Sequence, residues 1–159
     1  MAQIARLSVL ALVASSLVAC AGPRPSTLGP SGERLAACPA SPNCVSSDAT
    51  DAAHAVAPFA LAVPAAQAWP IVLDAVAALP RTRIVTDAEG YLHAECRSAL
   101  LGFVDDLELQ LHPSAGQIAV RSASRLGHSD LGVNRRRVET LRRTLAARGV
   151  LRPDLATDS

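Results

Sequence analysis

The architecture turns on residues 103–125, FVDDLELQLHPSAGQIAVRSASR. Two runs of alternating apolar and polar residues, 103–112 and 117–125, flank the turn Pro113-Ser114-Ala115-Gly116. That is the pattern of a half-buried antiparallel hairpin. With His112 opposite Gln117, Leu111 meets Ile118, Leu109 meets Val120 and Leu107 meets Ser122, while Glu108 meets Arg121 on the other side. Opposite charges directly across a ladder steady it. A slip of one residue would set leucine against arginine, so a single register is specified. The same register turns Asp105 toward the core, opposite Ser124, and Asp106 outward among Arg97, Arg121 and Arg125. An inward carboxylate is very costly unless donors meet it. Asn134, Arg135 or the free amides at the start of a last helix are the expected donors.

The neighbouring segments extend this hairpin. Residues 91–98 alternate as a strand, with Leu92, Ala94 and Cys96 on one side and Tyr91, His93, Glu95 and Arg97 on the other. Residues 83–87 form another, joined through Asp87-Ala88-Glu89-Gly90. Upstream, Trp69, Val72, Leu73, Val76 and Leu79 recur at helical spacing within 65–79. Pro70 is tolerated only in a first turn, so the regular helix is expected from about Trp69 to Pro80. Residues 58–63 read as a short strand. A last helix is expected to run to about Arg148, with Val138, Leu141 and Leu145 inward and Gly149 as its stop. The order strand, helix, four strands, helix predicts an α+β two-layer sandwich. Its antiparallel sheet would have about four to five strands, with both helices on one face. The other face is expected to lie uncovered, showing His93, Glu95, Arg97, Asp106, Glu108, Arg121 and Arg125.

Composition bounds the partners. The 159 residues carry a formal charge of +1, and all 15 basic residues are Arg. A general nucleic-acid binder would be markedly basic, so no nucleic-acid partner is expected. Charge is nevertheless divided along the chain: residues 33–120 hold four Arg against ten acids, and residues 121–152 hold nine Arg against two. The two halves should attract one another in the fold.

Residues 1–20, MAQIARLSVLALVASSLVAC, combine one Arg, an apolar run over 7–18 and small residues before Cys20. That run is too short for a bilayer core, which needs roughly twenty residues, and reads as an export signal. The ending Leu17-Val18-Ala19-Cys20 resembles the lipobox of bacterial lipoproteins, in which the cysteine takes a diacylglyceryl thioether and becomes the mature N-terminus. The expected organisation is a signal peptide over 1–19, a Pro/Gly/Ser-rich flexible tether over 20–33, one domain over 34–152 and a tail over 153–159. The expected location is the cell envelope, held to the membrane by acyl chains such as palmitate on Cys20. Ala21, rather than Asp, fits an outer-membrane position facing the periplasm in a cell with two membranes.

In an exported chain, Cys38 and Cys44 of CPASPNC are a natural disulfide pair. A metal site is the rival reading, but no His or further Cys lies near them in sequence. Cys96 falls on an apolar strand face as a buried thiol. The four His, at 54, 93, 112 and 128, show no metal spacing, and no metal or cofactor is expected.

Three segments, CPASPNCVSS (38–47), FVDD (103–106) and RSASRLGHSDLGVNRRR (121–137), carry a family resemblance. Together the chain over about 38–143 resembles the bacterial and plastid family known as domain of unknown function 1499. The resemblance implies no catalytic assignment at these positions. From the residues themselves, Arg97, Asp106, Arg121, Arg125, Ser129, Asp130 and Asn134 form a candidate site for a small anionic ligand, such as a phosphate or carboxylate. The same groups would equally serve as cement around Asp105, Asp106 and the loop backbone. Arg136 and Arg143 project outward, to solvent or to anionic headgroups. The leading reading is a lipid-anchored binding or structural module. The alternatives are a hydrolase or other enzyme using Ser129 and His128, although no nucleophile elbow surrounds them, and a passive subunit of an envelope complex.

Overall fold

The computed structural model describes residues 22–153. The expected signal peptide over 1–19, Cys20 and the tail beyond 153 therefore lie outside the described residues. The chain runs β1 (Cys44–Ser46), β2 (Phe59–Ala60), α1 (Ala65–Ala77), β3 (Thr82–Ala88), β4 (Tyr91–Arg97), β5 (Val104–His112), β6 (Gln117–Ser124) and α2 (Val133–Ala147). This is an α+β fold with one six-stranded antiparallel sheet and two helices. The sheet order is β1-β6-β5-β4-β3, with β2 also paired to β6.

The hairpin β5–β6 holds the expected register throughout: Leu111 opposite Ile118, Leu109 opposite Val120, Leu107 opposite Ser122, Glu108 opposite Arg121 and Asp105 opposite Ser124. A one-residue slip would turn the leucines to the polar face, and pairing Glu108 with Arg121 selects this register among those that keep the faces. Between β3 and β4 the turn closes on Glu89 and Gly90, both at positive φ (51° and 80°), the two-residue geometry that matches strand twist. The buried side chains of both helices (Val72 and Val76 of α1; Val138, Leu141 and Leu145 of α2) join Leu92, Leu107, Leu109, Ile118 and Val120 in one cluster. Cys96 is buried at its edge, where burial pushes the thiol up from its ordinary range.

Several expectations need correction. The sheet has six strands rather than four to five, because the residues just after the Cys38–Cys44 disulfide pair with β6 as the three-residue β1. Three residues are too few for a periodic signal. Helix α1 begins at Ala65, not near Trp69, with Pro70 inside it and Pro64 at its start. Pro70, the sixth of thirteen residues, forgoes one ladder bond inside the helix, and the amides of Gln67 and Ala68 close the first turn on the Pro64 carbonyl. The stretch expected as a flexible tether instead makes sheet contacts from Arg24 to Gly32: Gly29 N–H donates to Glu108 (2.9 Å), and Gln110 donates to the Gly32 carbonyl (3.1 Å).

Candidate functional site

The polar face of the sheet is not uncovered. His93 and Glu108 are fully buried, and Glu95, Asp106 and Arg121 are each less than one-tenth exposed. Pleating sends these side chains away from the leucine core, and residues 24–39 close over them. Burial of so many charges requires that nearly every one be answered.

Arg125 is the hub. Its Nε and Nη2 donate to the two oxygens of Asp106 (2.9 and 2.7 Å), and Nη2 also reaches Glu95 (2.8 Å). His93 Nε2–H donates to Asp106 (2.7 Å), and its Nδ1 accepts from Arg24 (3.1 Å). Receiving an arginine N–H at Nδ1 fixes the tautomer with the proton on Nε2. Burial alone would raise the carboxyl of Asp106, but the bonds from His93 and Arg125 outweigh it and hold the group below its ordinary range. Glu95 is held down in the same way, burial being overcome by Arg125 and Arg83. The reciprocal effect raises Arg125.

A second knot surrounds Glu108. One oxygen accepts from Tyr91 Oη (2.8 Å) and from Gly29 N–H, and the other from Arg121 Nη1 (2.9 Å). Burial and the adjacent Glu108 charge push the Tyr91 phenol well up. Arg121 is the exception to full pairing. Its side chain is only 8% exposed, and its Nε–H has no acceptor among the described residues. It lines a cavity of about 320 Å³ together with Asp106, Arg125, Ser124 and the overlying Pro25 and Cys38.

On the core side, Asp105 accepts from Arg137 Nη2 (2.6 Å). The expected donors Asn134 and Arg135 do not reach it. Asn134 instead exchanges bonds with Ser122 and Ser124 and donates to the Asn43 carbonyl (2.7, 2.9 and 3.0 Å). Arg135 ties down the Ala53 and Ala55 carbonyls. Arg137 lies one helical turn beyond Asn134 on the same face, so it reaches the strand that Asn134 only borders. Asp130 caps α2, accepting the amides of Gly132 (2.9 Å) and Asn134 (2.7 Å). Ser129 Oγ accepts the Leu131 amide (3.3 Å), and His128 is exposed.

The seven candidate residues thus fall into two groups. Asp106, Arg121 and Arg125 share the cavity on the polar face; Arg97 reaches Glu95 (3.5 Å) but lines a separate cleft at the end of the sheet. Asn134 belongs to the core side of the sheet, and Ser129 and Asp130 belong to the helix-capping loop, so these three do not join that group. Sequence reading missed Arg24, Gly29 and Tyr91, which complete the polar face. Only Tyr91 carried a signal, through its alternation with His93 and Glu95. Among the described residues no cluster of His, Cys, Asp and Glu is arranged to hold a metal ion.

No curated protein and no solved structure matches the chain. A family match does exist, over the same segments that build β1, the β5–β6 hairpin and the start of α2. It covers residues 34–145, and the chain belongs to the family described as "Protein of unknown function (DUF1499)".

Proposed function

We propose that this protein is a lipid-anchored cell-envelope module that binds a small anion, a phosphate or carboxylate group, through Arg121. The observation that supports this is the Nε–H of Arg121, a buried cationic donor without an acceptor beside a cavity of about 320 Å³. Leaving such a donor unpaired costs about 1–3 kcal/mol. The atom is sealed from solvent, so an oxyanion entering the cavity must shift the overlying segment slightly to reach it, and then removes the penalty with a charge-assisted bond. Arg125 and Asp106 hold the cavity's shape rather than the ligand, because both are already paired. The helices form one layer on the apolar side of the sheet, a two-layer sandwich, which leaves the polar side to the covering segment and its ligand. Acyl chains on Cys20 hold the module at the membrane.

Two experiments test this reading. Titration of the protein with inorganic phosphate, followed by the Nε–Hε resonances of arginine, should shift the Arg121 signal selectively. Arg121→Lys, which keeps a cation near Glu108 but lacks the second donor edge, should lose the response while remaining folded. A phosphate response that is unchanged in Arg121→Lys rules out the site. Growth with an alkyne fatty acid should label the wild type and not Cys20→Ala; equal labelling of both rules out the anchor.

A further inference from the structure

The loops at one end of the sheet share a character that neither the core nor the polar face explains. The connections after β4 and after β6 leave the same end, because Asp105 at the start of β5 pairs with Ser124 at the end of β6. These two loops carry Leu100 (95% exposed), Leu101 (60%) and Leu131 (84%), with Phe103 and Leu126 partly exposed on them and Val133 partly exposed at the start of α2. Single exposed leucines are ordinary, but a group of them on adjoining loops marks an interaction surface. The loops adjoin at a cleft of about 400 Å³ whose wall includes Ala99, Val133, Arg81, Arg97 and Arg136.

The free charge of this end is positive: its acids Asp105 and Asp130 are taken by Arg137 and by the Gly132 and Asn134 amides. Arg81 and Arg136 are exposed, and neither has a carboxylate partner among the described residues. Arg81 is held at φ 53°, a left-handed conformation that costs a non-glycine residue about 1–2 kcal/mol. Its carbonyl accepts the Arg97 amide and its Nε–H donates to the Arg97 carbonyl, so the guanidinium is presented from a fixed backbone. At the opposite end of β3 and β4, about 20 Å away along a seven-residue strand, the exposed turn carries Asp87 and Glu89. Leucines flanked by arginines at one end, with acids at the other, match an anionic bilayer surface: the apolar side chains enter the headgroup boundary, and each arginine gains from the surface potential.

The start of the described chain supplies an independent reason to place a membrane here. Gly22 packs against Leu126, so closely that a Cβ added to it would lie 3.0 Å from Leu126 Cγ. Cys20 is two residues earlier, and two residues span at most about 7 Å. Acyl chains on Cys20 would therefore leave the domain beside the exposed leucines.

We infer that this end, Leu100 and Leu101 with Leu131, Arg81 and Arg136, is a docking face for the anionic bilayer that holds the anchor, so that the module sits loops-down on the membrane. The inference rests on the anchor proposed above. The two are separated by fatty-acid analysis of the same preparation. The test uses the full chain carrying Leu101→Trp, purified from membranes and reconstituted into phosphatidylethanolamine vesicles with or without phosphatidylglycerol. Brominated lipid should quench the introduced indole strongly, and more so with phosphatidylglycerol. Trp69, bonded to Asp87 at the far end, should keep its emission in the wild type. An acylated Cys20 with an unquenched indole in Leu101→Trp overturns the docking face and leaves the anchor standing. A Leu101→Trp protein without acyl chains whose introduced indole is quenched on adding vesicles keeps the face and removes the anchor. Concentration-dependent dimers that Leu101→Ser dissolves would assign the face to a second copy of the chain and overturn the proposal.

Discussion

Replacing Arg125 with Met should be among the most damaging single changes on the polar face of the sheet. Arg125 is 5% exposed in its side chain and supplies three charge-assisted bonds to Asp106 and Glu95. Methionine keeps much of the aliphatic stem and removes every donor. Asp106, 2% exposed, is then left with His93 alone. Glu95 is left with Arg83 at 3.3 Å and Arg97 at 3.5 Å, both largely exposed, and such surface partners contribute little. Breaking a buried pair by removing one partner costs about 3–5 kcal/mol. For a domain of this size that is a fall of about 10–20 °C in Tm. Urea denaturation followed by Trp69 fluorescence and by circular dichroism measures the loss directly. Adding Asp106→Asn, which removes the stranded charge but keeps an acceptor for His93, should recover about 2 kcal/mol.

The pH dependence gives a second readout of the same variant. In the wild type Asp106 and Glu95 titrate below their ordinary range. Their contribution is therefore present above that range and is lost as pH falls through the depressed folded values. In Arg125→Met the burial effect is no longer outweighed, so protonation becomes favourable to the folded state. The gap between variant and wild type should narrow as pH falls. A loss under about 1 kcal/mol, the scale of an exposed ion pair, or a gap independent of pH, would refute the view that this face is a closed charge network.

Two further outcomes follow from local contacts. The Ser41 carbonyl, and then Asp51, raise His54 above its ordinary value. Its contribution is complete below that ordinary value and is lost as pH rises through the raised folded one, and His54→Gln should flatten this part of the stability profile in urea titrations. Asp130→Ala removes the acceptor for the Gly132 and Asn134 amides and should cost about 1 kcal/mol. Hydrogen exchange should show the loss as faster opening of the first turn of α2, with the β5–β6 strands unchanged.

The hairpin was legible because Leu107, Leu109 and Leu111 alternate against Ile118 and Val120, and only one pairing puts Glu108 opposite Arg121. The inward turn of Asp105 followed from that register. Its partner did not, because Asn134, Arg135 and Arg137 all lie in the first five residues of the helix, and side-chain direction chooses among them. The candidate site was legible in part: Asp106, Arg121 and Arg125 share a strand face and share a cavity. Ser129, Asp130 and Asn134 are close to them in sequence, but the backbone after β6 carries those residues across to the helix side.

Strand period, turn residues and charge alternation are local properties, so strands β3 to β6, the register of the β5–β6 hairpin and the presence of two helices could be read from residues 65–147 without coordinates. Coverage of the polar face could not. It depends on an aperiodic Pro/Gly-rich segment, which docks because a distant buried carboxylate and imidazole need the Gly29 amide and the Arg24 guanidinium. A donor's usefulness depends on what the folded chain leaves unpaired, and that is set only when segments some seventy to eighty residues apart meet. The same holds for Arg121, an ordinary partner of Glu108 in sequence, whose unanswered Nε–H exists only inside the assembled face.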